Sequence, residues 1–117
     1  MASILEKEAQ TSEDARLISG ILWKRLDADW ALQADATLLY GKSKTQISKS
    51  DLEEDSPYNT RVKKGLPPTP ISNPGLKMIN AAIFPEASPY WFYLTDAEGI
   101  THFAKTNEEH NENKRKY

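Results

Sequence analysis

The chain has 117 residues, a formal net charge of −2, 38% apolar and 27% charged residues, the profile of one globular domain and not of a disordered or membrane-spanning chain. It has no cysteine, so a disulfide framework and a thiolate metal site are excluded, and no apolar run approaches the ~20 residues that cross a bilayer. The near-neutral balance supplies no basic field for nucleic acid, and local clusters such as KRLDADW and NKRKY read as solvated charge.

Taken in order, Ala2 to about Leu26 reads as one or two helices, with Ile4, Leu5, Leu17, Ile18, Ile21 and Leu22 at spacings of three and four. A break is expected near Gln10, followed by a helix capped by Thr11 or Ser12, with Asp14 complementing the dipole. RLDADWALQADATLLYG passes through a polar turn into a further short helix. KSKTQISKSDLEEDSP has no period and predicts a surface loop, with Ser50 placed to cap a short helix on DLEED. The segment 56–75 holds five of the seven prolines and two of the five glycines. So long an irregular stretch is a functional loop, such as a rigid wall beside a groove, or a connector held by turns. A helix is expected after it, with Asn73 or Ser72 as N-cap, Pro74 in its first position and Pro85 stopping it just past Phe84. YWFYLTD, a DAEG turn and ITHFAKT predict a β-hairpin, and Thr106 or Asn107 caps a last helix.

The fold class is therefore α+β: helices, a proline-rich loop, a β-hairpin and a C-terminal helix packed back, in a single domain over 1–117. MASILEKEA enters a helical pattern with only Ser3 as a possible cap, and NEEHNENKRKY stops without a Gly or Pro terminator, so a domain excised from something longer is expected.

No phosphate loop, nucleophile elbow, zinc-protease motif or cysteine nucleophile is present, which narrows chemistry to carboxylates. Glu6 and Glu8 point about 160° apart on a helix. Glu8 follows Leu5 by three and Ile4 by four, so it continues the apolar side, where desolvation raises a carboxyl pKa. The alternative is an ordinary helix-terminal surface Glu. Gln33 and Asp35 bracket a turn and suit hydrogen bonding to a polyol, although Asp35 is also a natural cap. His102 and His110 lack companions at metal-ligand spacing, so no metal is expected. One pair of Tyr90, Trp91, Phe92 and Tyr93 should enter the core, leaving the other free to stack on a sugar or a helix.

In order, ASILEKE, LQADATLLYG, DSPYNTR, GLPPTPISNPG, INAAIFP, YWFYLTDAEGITHFAKT and EEHN together resemble the catalytic domain of the endolytic murein transglycosylases, the YceG-like family. The resemblance implies a lysozyme-like catalytic domain without cofactor that cuts peptidoglycan strands between N-acetylmuramic acid and N-acetylglucosamine, leaving 1,6-anhydromuramic ends. It places the catalytic Glu in the EKE motif, at Glu8 with Glu6 as the alternative. It also implies substrate-binding roles for Gln33, Asp35, Tyr58, Asn59 and Thr60, with Pro67, Pro68 and Asn73 in the shaped loop. A parent protein with an N-terminal membrane anchor and a small LysM-like subdomain is implied, acting at the extracytoplasmic face of the membrane beside cell-wall synthesis machinery. The competing readings are a non-catalytic glycan-binding module and a carboxylate-dependent polysaccharide hydrolase.

Overall fold

A computed structural model describes residues 1–43 and 46–117; Lys44 and Thr45 of the expected surface loop lie outside the described residues. Helix α1 spans Ala2–Glu8 and buries Ile4 and Leu5. It stops because Ala9 turns to extended backbone (φ −100°, ψ 144°). Helix α2, Ser12–Asp27, begins on the Thr11 hydroxyl, which accepts the Asp14 N–H at 3.1 Å. Glu13 and Asp14 in its first turn and Lys24 and Arg25 in its last complement the dipole. Ala15, Ile18 and Leu22 of α2 meet Ile4, Leu5, Leu32, Ala34, Ile71 and Ala81 in the core.

The expected short helix in LQADATLLYG is a 3-10 helix, Asp35–Leu39. Helix α3, Lys49–Leu52, is capped by Ser48 and not by Ser50. Ser48 and Asp51 form a reciprocal capping box, which satisfies two N-terminal donors where a single serine would satisfy one.

The proline-rich segment wraps over α1 and is stitched to it. Ile71 N–H bonds the Ser3 hydroxyl at 3.1 Å, the Ser72 hydroxyl bonds the Ser3 carbonyl at 2.8 Å, and Gly75 N–H bonds the Glu6 carboxylate at 2.7 Å. These bonds displace the expected start of the next helix. Ser72 is held by α1, and α4 runs Leu76–Ile83 with Gly75 at its N-cap, so neither Asn73 nor Ser72 caps it and Pro74 lies outside. The end falls as expected, with Phe84 at the C-cap just before Pro85.

From the last turn of α4 to the hairpin the chain crosses α2, whose side chains catch its carbonyls: Arg16 at Phe84, Trp23 at Ala82, Lys24 at Ser88 and Arg25 at Trp91. The crossing needs Gly20, since a Cβ there would sit 2.1 Å from the Glu86 carbonyl oxygen. Strands β1, Phe92–Thr95, and β2, Thr101–Ala104, pair antiparallel with Tyr93 opposite Phe103. Those two rings pack on the core, whereas Trp91 lies against Trp30 at 4.6 Å between centroids. The Asp96 carboxylate closes the turn by accepting the Glu98 and Ile100 N–H groups and the His102 ring. Helix α5, Asn107–Lys116, starts on Thr106 and returns along the hairpin, with His110 stacked on Phe92 and Tyr117 on His102.

Gly20→Ala tests the crossing. At an ordinary helical site the change would stabilise by about 1 kcal/mol, but here the added methyl must push backbone aside, and a loss of about 1–3 kcal/mol is expected. An unchanged or higher urea midpoint would contradict the close approach.

Candidate active site

Glu8 closes α1 and reaches a cleft of about 400 Å³ that it shares with Gln33, Asp35, Arg25, Arg61 and Tyr93. Its position follows from the residues before it: Ile4 and Leu5 are sunk in the core and Ser3 and Glu6 are tied to the proline loop, so the helix end has little freedom to turn. One Glu8 oxygen, Oε1, is buried without a hydrogen-bond partner. Burial pushes the carboxyl pKa up to about 7, and the nearby Asp35 charge adds to the rise. The Ala36 backbone amide and the Arg25 and Arg61 guanidinium groups pull the other way without cancelling it.

The opposite side of the cleft is a strap at residues 32–35. Leu32 and Ala34 are buried, which turns Gln33 outward. Gln33 holds a left-handed backbone (φ 55°), a conformation that costs a residue with a Cβ about 1–2 kcal/mol. Its N–H bonds the Thr60 carbonyl at 3.1 Å, and the next N–H, of Ala34, bonds the Thr60 hydroxyl at 3.0 Å. Asp35 then takes Arg61 Nε at 2.7 Å.

Three groups in the cleft carry little sequence signal. Arg25 is buried and donates to the carbonyls of Leu32 and Trp91, bridging the strap to the hairpin beside Glu8. The Tyr93 phenol is held well above its ordinary pKa, first by burial and then by the Glu8 charge, so it remains a donor. His110 has a buried Nδ1 without a partner, and burial, then Lys114, Arg25 and Arg61, lower its pKa toward the neutral imidazole. Arg25 falls on the helical period of α2 and His110 on that of α5, but nothing local says that the two helices meet one cleft.

Of the residues expected at the site, Glu8, Gln33 and Asp35 come together; the others do not. Glu6 binds the Gly75 amide and acts as a staple. Asn59 and Thr60 are fully buried, so neither can contact a sugar as expected. The Asn59 amide donates to the carbonyls of Asp51, Leu52 and Glu54, and Thr60 holds the strap. Tyr58 bonds Thr69 through its hydroxyl and lies tilted against the Tyr40 ring. Pro67 and Pro68 line a separate groove with Met1 and Ile4, and Asn73 is exposed and lines neither that groove nor the Glu8 cleft. Among the described residues no group of three or more His, Asp or Glu side chains is placed to hold a metal, and no helix is long and apolar enough to cross a membrane.

A model of the YceG-like family matches residues 1–116. An endolytic murein transglycosylase of Bacillus subtilis is 42% identical over 119 residues, covering 100% of this chain and 33% of that protein. One from Streptococcus pneumoniae strain D39 is 34% identical over 121 residues, covering 97% of this chain and 22% of that protein. The chain thus spans a third or less of the length of these relatives. The crystal structure of a yceG-like protein from Listeria monocytogenes superposes with a TM-score of 0.91 at 46% identity, covering 96% of this chain and 38% of that one. With the family match running from end to end and the backbone shared at nearly half identity, the chain belongs to the YceG-like family.

Proposed function

We propose that this chain is a lysozyme-like catalytic region that cleaves peptidoglycan strands by lytic transglycosylation, with Glu8 as the single acid and base. The observation that carries the reading is the Glu8 carboxyl, desolvated at a helix end, raised to about 7, lining a polar cleft and keeping one buried oxygen without a hydrogen-bond partner. A carboxyl so placed keeps a proton near neutrality and can release it in a transition state. Protonated Glu8 gives its proton to the glycosidic oxygen as the bond from C1 of N-acetylmuramic acid breaks. The carboxylate left behind takes the proton of the sugar's own C6 hydroxyl while that oxygen bonds C1. The products are a 1,6-anhydromuramic end and a free N-acetylglucosamine hydroxyl; no water is consumed and Glu8 regains its proton.

Gln33, turned into the cleft, supplies an amide for sugar hydroxyl or N-acetyl groups, and Tyr93 supplies a protonated phenol. Arg25 stands by the carboxylate formed in the first half of the reaction. The family's relatives point to the substrate class, and whole-protein features, a membrane anchor, a location outside the membrane and contact with cell-wall synthesis machinery, belong to this proposal as well. A second reading follows from Asp35, which is close enough to raise the Glu8 pKa: two carboxyl groups facing one cleft also suit a hydrolase that activates water.

Digestion of purified peptidoglycan with mass analysis separates these readings. Anhydro ends are expected, reducing ends would favour hydrolysis, and binding without cleavage would leave a glycan-binding module. Glu8→Gln should lower cleavage by at least about a thousandfold while the far-UV spectrum is unchanged. Because the proton must be present on Glu8 at the start, cleavage should hold below pH 7 and fall above it; a rate that keeps rising through pH 8 would reject Glu8 as the acid.

The same carboxyl makes stability depend on pH. Below its ordinary value of 4.5 Glu8 is protonated in the folded and unfolded chain alike; between 4.5 and about 7 the unfolded chain loses the proton and the folded chain keeps it. Folding stability therefore falls as pH rises through that window, by up to about 3 kcal/mol. Glu8→Gln removes the dependence and should be more stable than the parent at pH 8 but not at pH 4, as read from urea midpoints at the two values.

A further inference from the structure

The cleft is richer in positive charge than the molecule as a whole. Lys7, Arg25, Arg61 and Lys114 line it against only two carboxyl groups, Glu8 and Asp35, in a chain whose formal net charge is −2. Two of the cations are engaged: Arg25 by the carbonyls of Leu32 and Trp91, Arg61 by Asp35. Lys7 and Lys114 are exposed and have no ion-pair partner among the described residues. They come from the last turns of α1 and α5, so they bring charge to the cleft from two separate elements. A lysine in the last turn offsets the partial negative charge of the helix end, and a full positive charge exceeds that partial one. The rim therefore attracts an anion with the lysines present, and the attraction weakens without them, because the remaining cations, Arg25 and Arg61, are already held by backbone carbonyls and by Asp35.

From this we infer that Lys7 and Lys114 are specificity-determining residues that read a carboxylate carried by the glycan, so that an acidic strand is taken in preference to a neutral one. The inference rests on the reading of the cleft as a glycan site. A carboxylate on such a strand has two sources, the lactyl ether of the muramic sugar and the peptide attached through it, and the same two lysines suit either. The strand is held by Gln33 and the cleft wall, while the lysines act at the rim, where a charge contact in water contributes modestly and is screened by salt.

The test uses Glu8→Gln protein, which holds strands without cutting them, and measures binding to three probes: neutral N-acetylglucosamine oligomers, strands stripped of peptide that expose the lactyl carboxylate, and uncrosslinked strands that keep their peptide. Acidic strands should bind more tightly than neutral oligomers. The preference should shrink about threefold for Lys114→Gln, about tenfold when Lys7→Gln is added, and strongly with rising salt. Loss confined to stripped strands assigns the lactyl group, and loss confined to peptide-bearing strands assigns the peptide. Equal binding of neutral and acidic probes, or lysine variants that weaken all three probes alike, would overturn the inference. Lys114→Gln alone decides the matter should Lys7→Gln disturb the end of α1. Charge-dependent binding by protein that forms no anhydro ends would leave this inference standing and sink the proposed reaction; anhydro ends with no charge preference would do the reverse.

Discussion

Helix α1 has seven residues, far fewer than the ~12 that an isolated helix needs to persist in water, and the functional reading depends on where its last residue points. Its direction is set from outside. Ile4 and Leu5 fix one face in the core, and Ser3 and Glu6 bond the Ile71 and Gly75 N–H groups and the Ser72 hydroxyl on another. The two glutamates of EKE thereby separate into different jobs. Glu6 accepts an amide hydrogen at 2.7 Å and clamps the helix to the proline loop; Glu8, two residues on, is carried round the helix into the cleft. A proline-rich loop suits the partner role because its restricted backbone loses less entropy when held in one shape. The wall formed by Pro67 and Pro68 faces a different groove, so the loop serves the cleft by orienting the helix that carries Glu8.

The far side of the cleft depends on α2. Its side chains reach four carbonyls between residues 82 and 91, which carries the chain across the helix and delivers β1 beside Glu8. Arg25 ends that series and also holds the Leu32 carbonyl, so one guanidinium ties helix, strap and hairpin together. Its burial lowers its pKa, yet an arginine stays charged, and truncating it would leave buried carbonyls without donors. The cleft thus has a fixed positive group next to a carboxyl that, in the proposed reaction, alternates between neutral and charged forms.

The elements with local signals were legible in the sequence. Thr11 and Thr106 cap the helices they precede, Pro85 follows the end of α4, and a glycine-containing turn joins two β-prone runs that do pair. Glu8 was legible as a carboxyl on the apolar side of a helix. Much of what failed was decided by tertiary partners and by burial. Ser72 and Asn73 have good capping chemistry, but Ser72 is drawn to Ser3 and Gly75 to Glu6, 69 positions away in each case. Tyr58, Asn59 and Thr60 look like a polar sugar-binding run because composition cannot distinguish an exposed amide from a buried one. Arg25 and His110 were silent for the converse reason: a charged residue on a helix is ordinarily solvated.

Thr60 shows how such buried polar residues bear on the cleft without touching its contents. Its carbonyl takes the Gln33 N–H, and its hydroxyl takes the Ala34 N–H while bonding Thr37. With Leu32 and Ala34 sunk on either side, these bonds over-determine the strap and hold Gln33 in a left-handed conformation it would not otherwise favour. Asn59, the residue before it, fixes Thr60 in turn by binding three carbonyls of residues 51–54. Backbone strain at Gln33 and desolvation at Glu8 are both unfavourable to folding, and both lie on the same cleft. Each is held by contacts one layer behind it, the first by Asn59 and Thr60 and the second by Ser3 and Glu6. A cleft built this way keeps its polar groups in place before any ligand arrives, which is the condition under which a single carboxyl can act as acid and then as base without rearranging.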